Sequence, residues 1–84
     1  MELPTRMSSW RRAKGVSQAA CARACDVGPP SVSMWESGSS RPTVENLEKY
    51  VVAGLHETMQ RFYDDEALAA ALAEAPPSRA SKAS

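Results

Sequence analysis

Cys21 and Cys25 are the only cysteines of this chain and His56 is its only histidine, which limits metal chemistry at once. A zinc site would need about two ligands beyond the thiols, and His56 is the sole further candidate. The two cysteines lie four apart in a stretch that reads as helix, where side chains share a face but do not easily meet disulfide geometry. They read as buried structural thiols. There is no Gly-rich phosphate loop, and the serines are spread over turns and caps without a base partner, so an enzyme is the least supported class. No cofactor and no metal are implied. The chemistry that remains is recognition by hydroxyl, amide and guanidinium groups.

Those groups are concentrated in and around residues 16–38, VSQAACARACDVGPPSVSMWESG. The small, apolar and turn residues of this stretch read as two short helices joined by a tight turn, the hook with which many proteins read DNA. Ser17 is a natural N-cap for a helix over 18–24, with Cys21, Ala22 and Cys25 inward. Asp26 stands where the chain must turn sharply, and aspartate tolerates left-handed backbone better than most residues. Pro29 and Pro30 then mark a helix start, since a first-turn residue has no intrahelical use for its N–H. That helix should run to about Ser37 with Val32 and Trp35 inward, and Gly38 should close it.

The flanking elements follow from periodicity. Pro4 and Thr5 suit the start of a first helix in which Leu3, Met7, Trp10 and the stem of Lys14 fall at helical spacing, ended by Gly15. After a loop over 39–42, Thr43 caps a fourth helix with Val44, Leu47, Tyr50, Val51 and Leu55 in register, interrupted at Gly54. A fifth helix over about 56–74 presents Met59, Phe62, Tyr63, Leu68 and Leu72 before Pro76 and Pro77 stop it. The expected fold is all-α: one compact bundle of about five helices over 1–74, followed by a disordered polar tail over 75–84.

Ten Lys and Arg balance ten Asp and Glu, but the signs separate along the chain. Residues 1–44 carry six bases against three acids, and the remainder four bases against seven acids. This places a basic face on the N-terminal half. Zero net charge argues against strong non-specific DNA binding, which scales with the phosphates neutralised, so a dimer with two basic faces is favoured. No apolar run approaches a membrane span, and the first residues lack the regions of a signal peptide, which gives the expectation of a soluble, cytoplasmic, nucleoid-associated protein without a membrane partner.

Over about residues 5–55 the chain resembles the helix-turn-helix family of phage repressor and Cro proteins. The matching positions are Arg11, Gly15, Ser17, Gln18, Ala22, Glu36 and Gly38. Asp26 stands where the family usually has a turn glycine, and Pro29 and Pro30 stand where hydrogen-bonding residues are frequent. The resemblance implies a lambda-repressor-like fold whose third helix enters the major groove while the second crosses the backbone.

It further implies roles for individual residues. With Val32 and Trp35 inward, Pro29, Pro30, Ser33 and Met34 face base edges. Pro30 and Met34 suit thymine methyls, and Ser33 suits several bases, although none makes a bidentate contact. Specificity should then lean on DNA shape and phosphate positioning. Phosphate contacts are expected from Ser17, Gln18, Ser31, Ser37, Arg41 and Thr43, the first two at a helix N-terminus that favours anions. The plainer alternatives are capping for Gln18, a solvated charge for Arg41 and a simple helix start for the two prolines. Arg11 and Glu36 match a pair that ties the first helix to the third, the alternative being two independent exposed charges. Leu68 and Leu72 extend beyond what so small a core covers and are the expected contacts of a homodimer.

The leading expectation is a sequence-specific transcriptional regulator that binds operator DNA and represses a promoter. It would be a phage-type switch protein or an antitoxin that regulates its own operon and holds a toxin as protein partner. The alternative is an interaction adaptor that kept the scaffold and lost DNA binding, supported by zero net charge and the apolar face of Pro29, Pro30 and Met34.

Overall fold

The computed structural model describes residues 1–75, and within them all regular structure is helical. The proline stop at Pro76 and Pro77 and nearly all of the tail lie outside the described residues. The elements are α1 (Leu3–Lys14), α2 (Gln18–Cys25), α3 (Pro29–Ser37), α4 (Val44–Glu48), which continues into a π-helical segment (Lys49–Gly54), α5 (Met59–Phe62) and α6 (Asp65–Ala73).

The first three helices end in the same way. Gly15, Asp26 and Gly38 adopt left-handed backbone with φ of 69°, 60° and 86°. The following N–H then reaches back to a carbonyl of the last turn, Val16 to Arg11 at 3.1 Å, Val27 to Ala22 at 3.0 Å and Ser39 to Met34 at 2.9 Å. Orphan carbonyls are thereby satisfied and the chain reverses at each junction. Asp26 does this without being glycine. The starts are equally local: Ser17 Oγ accepts from Ala20 N–H and Thr43 Oγ1 from Asn46 N–H, both at 3.0 Å, and prolines open α1 and α3.

The core gathers Met7 and Trp10 from α1, Cys21, Ala22 and Cys25 from α2, and Val32 and Trp35 from α3 against Leu47, Tyr50, Val51 and Leu55. Phe62, Ala67 and Leu68 close it from the C-terminal side. α2 lies so close to the π segment that a Cβ on Gly54 would stand 3.2 Å from Cys21 Sγ. Gly54 thus permits close packing at the position expected to interrupt the helix. Both thiols are free and buried, as expected. Burial pushes Cys21 up to about 11, so it stays protonated and unreactive.

Three periodicity-based expectations are corrected. Val44 is 77% exposed, because it is the first residue of its helix and precedes the turn that reaches the core. The side chain of Lys14 turns to Glu57, with Nζ to Oε2 2.9 Å, and Ala13 takes the inward position. The helix expected over 56–74 is two helices. Thr58 caps α5 by accepting from Arg61 N–H, and Asp64 Oδ1 accepts from the N–H groups of Glu66 and Ala67 to start α6.

The break frees a carbonyl that finds other donors. In a continuous helix Phe62 C=O would receive Glu66 N–H, which Asp64 captures instead. Trp10 Nε1 and Arg6 Nη1 both donate to Phe62 O at 3.0 Å, and the site is buried. α6 therefore folds back on α1, and Leu68 is 2% exposed. This overturns the expectation that Leu68 extends beyond the core. Phe62 is buried and Tyr63 is exposed, its ring meeting Phe62 edge-on at 5.0 Å between centroids.

Candidate nucleic-acid interface

α3 presents its residues as its spacing requires. Val32 and Trp35 are buried, while Pro29, Pro30, Ser33 and Met34 are exposed, and Ser31 is half-buried on the flank. No hydrogen bond among the described residues engages the side chain of Ser33 or Ser31. Ser37 is committed locally: its hydroxyl donates to Met34 O at 3.1 Å and lies 3.0 Å from Ser39 Oγ, at the helix end.

One carboxylate, besides the packing of Val32 and Trp35, ties that helix to three other elements. Arg11 on α1 grips Glu36 along one edge of its guanidinium, Nε to Oε2 at 2.8 Å and Nη2 to Oε1 at 3.0 Å. Its remaining arm, Nη1, donates to Val16 O at 3.0 Å, in the link between α1 and α2. Gln18 Nε2 donates to Oε1 at 3.0 Å from α2, and Tyr50 Oη lies 2.7 Å from Oε2. Each oxygen thus holds two donors, the full capacity of a carboxylate.

The expected tie between α1 and α3 is present, with side chains only 15% and 5% exposed, and is not a pair of independent surface charges. Burial alone pushes the Glu36 carboxyl up, but the hydrogen bonds from Arg11, Tyr50 and Gln18 outweigh it and hold it below its ordinary value. The same bond raises Arg11 further, so the pair stays fully ionised.

Of the residues expected at phosphates, Ser17 uses its hydroxyl as the α2 cap. Gln18 gives one amide N–H to Glu36, which is neither free reach to solvent nor simple capping. The main-chain N–H groups of Gln18 and Ala19 at the start of α2 have no hydrogen-bond acceptor among the described residues. Arg41 is exposed in the loop after α3, two residues before Thr43, which caps α4.

Charge is distributed less simply than the count by halves suggests. Arg6 is buried on Phe62 O and Asp65, Arg11 is consumed by Glu36, and Lys14 pairs with Glu57. Arg12, Arg23 and Arg41 are exposed and form no ion pair among the described residues. Among the described residues the N-terminal half thus has three exposed cations outside ion pairs, fewer than its six bases suggest.

Two residues escaped sequence reading as polar elements. Periodicity places Tyr50 as one apolar position in a row, and Arg6 enters only as one of the six bases of residues 1–44. The one available signal was chemical, because a tyrosine hydroxyl at a core position needs a partner.

Helices α2 and α3, their left-handed turn at Asp26, and an outward α3 face held by its neighbours define a helix-turn-helix domain. The sequence model of the helix-turn-helix family matches residues 7–53, more than half of the chain. The chain belongs to the helix-turn-helix family of phage repressor and Cro type, a family of DNA-binding regulators. Comparison with curated proteins and with solved structures finds no match. No metal-ligating cluster occurs among the described residues, and none of their helices is long and apolar enough to cross a membrane.

Proposed function

We propose that this chain is a sequence-specific transcriptional regulator that binds operator DNA as a homodimer and represses a promoter. It would act by occupying DNA that polymerase needs, as a phage-type switch protein or an autoregulating antitoxin. The observation that carries this reading is the outward face of α3, where Pro29, Pro30, Ser33 and Met34 stand exposed on a helix locked from behind through Glu36.

In the proposed complex that face lies against base edges in the major groove, with Pro30 and Met34 against thymine methyls and Ser33 within hydrogen-bonding reach of a base. The open N–H groups at the start of α2, with Ser17 and Gln18, meet one phosphate strand, and Arg41 with Thr43 meets the other. Ser31 and Ser37 flank the groove. Leu72, 45% exposed on α6, supports the dimer contact in place of Leu68 and would set two α3 helices one DNA turn apart, about 34 Å.

Fluorescence anisotropy with duplex from upstream of the protein's own gene and with a scrambled duplex, each at low and physiological salt, tests the reading. Preference for the upstream duplex that salt reduces without abolishing is expected. Equal binding erased by salt would leave only phosphate attraction, and absence of binding would favour the adaptor role. Within the interface, Arg41→Ala should weaken binding to all sequences and lower the salt slope by about one, whereas Met34→Ala should alter the preference among sequences.

A further inference from the structure

We propose that Tyr50 is a positioning residue that fixes the roll of α3 about its own axis, and through it the discrimination between DNA sequences. The inference rests on the DNA-reading role of α3 for its second half only. Tyr50 is fully buried, yet its hydroxyl is placed 2.7 Å from Glu36 Oε2 and 2.9 Å from the main-chain oxygen of Met7 on α1. One phenolic proton serves one acceptor at a time, and the carboxylate is the stronger, since a bond to an ionised partner is roughly twice as strong as a neutral one.

The geometry explains why this bond acts on orientation. Arg11 holds Glu36 in a fork, which fixes the distance between α1 and α3 but engages both oxygens from a single residue. Gln18 then draws Oε1 toward α2, and Tyr50 draws Oε2 toward the π segment. The carboxylate is held from two further elements, one on each oxygen. Glu36 lies near the C-terminal end of α3, one to three residues beyond the outward Ser33 and the inward Trp35, so a rotation there carries the reading face with it. Gly54, at the end of the same π segment, lies close against Cys21, so Tyr50 projects from backbone packed on α2.

A phenylalanine would fill the same volume, so the hydroxyl does something that packing does not require. Removing it leaves Oε2 with Arg11 alone, and the pull from Gln18 is no longer opposed.

The test is Tyr50→Phe in the full chain, read by amide hydrogen exchange and by affinity for a preferred and a scrambled duplex. The expected result is faster exchange at Val32–Ser37 than in the parent, with α6 amides unchanged. The ratio of preferred to scrambled affinity should fall about fivefold, equivalent to about 1 kcal/mol, while affinity for the scrambled duplex holds. Unchanged exchange in α3 overturns the proposal, as does an equal loss of affinity for both duplexes, which is the signature of general destabilisation. If the parent protein shows no sequence preference, the DNA-reading role fails separately and exchange alone decides: faster exchange confined to α3 supports positioning, and uniform or unchanged exchange overturns it.

Discussion

Two arginines of α1 hold opposite sides of the molecule, and they do so by different means. Arg11 faces α2 and α3 and meets a carboxylate that is 5% exposed and shared with Gln18 and Tyr50. Arg6 faces the C-terminal half, where it shares the carbonyl of Phe62 with Trp10 and reaches out to Asp65, a carboxylate 77% exposed. In the first case both charges are shielded, so each depends on the other. In the second the buried arginine is satisfied by a neutral carbonyl, and its ion pair is open to solvent. Shielded charge pairs give strong mutual dependence, whereas solvated ones contribute little.

The largest consequence belongs to Glu36. Glu36→Ala leaves Arg11 mostly buried without its partner and should cost about 3–5 kcal/mol in urea unfolding. It should also weaken DNA binding at temperatures where the variant is folded. Retention of both parent stability and parent affinity would sink the assigned role of this carboxylate.

Arg6→Ala should cost less, about 2 kcal/mol, because Trp10 still donates to Phe62 O. The separating readout is DNA: the loss lies away from α3, so affinity of the folded variant should match the parent. A loss of affinity equal to that of Glu36→Ala would erase the distinction between the two halves.

Acid sharpens the comparison. Glu36 is held below its ordinary value of 4.5, so as pH falls the unfolded chain takes up its proton first. The stability contributed by this carboxylate is complete above the unfolded value and is lost as pH falls through the folded one. Glu57, on which burial is outweighed by Lys14 and Arg61, and Asp65, lowered by its bond from Arg6, act in the same direction. Glu36→Gln should therefore show a shallower fall in melting temperature below about pH 4.5 than the parent. The smallest effect is expected from Asp65→Asn, whose urea midpoint at neutral pH should stay within error of the parent.

What could be read from the chain follows the range of the forces involved. Ser17, Asp26, Pro29 and Gly38 act on backbone within a few residues of themselves, so α2, the turn and α3 were legible to within a residue. The match at Arg11 and Glu36 was legible because both occupy positions of a recognisable motif. Periodicity hides the break between α5 and α6, although Thr58 and Asp64 are ordinary caps, because Met59, Phe62, Tyr63, Leu68 and Leu72 fit one continuous period. The contact between α1 and Phe62 that accompanies the break spans 52 residues for Trp10 and 56 for Arg6, beyond the reach of any local pattern. Leu68 was misplaced for the same reason. The hydroxyl of Tyr50 escaped because periodicity counts a tyrosine as a ring.

The saturated carboxylate of Glu36 also bears on how such a protein can change its target. The hydrogen bonds that tie α3 to its neighbours run from its inner side, and the exposed side chains of Ser33 and Met34 take no part in that anchoring. A lineage or a designer can replace those two side chains while the frame that holds them stays as it is. If α3 reads DNA as proposed, part of its preference can be varied at these positions without touching Glu36 or Tyr50, where orientation and stability are coupled.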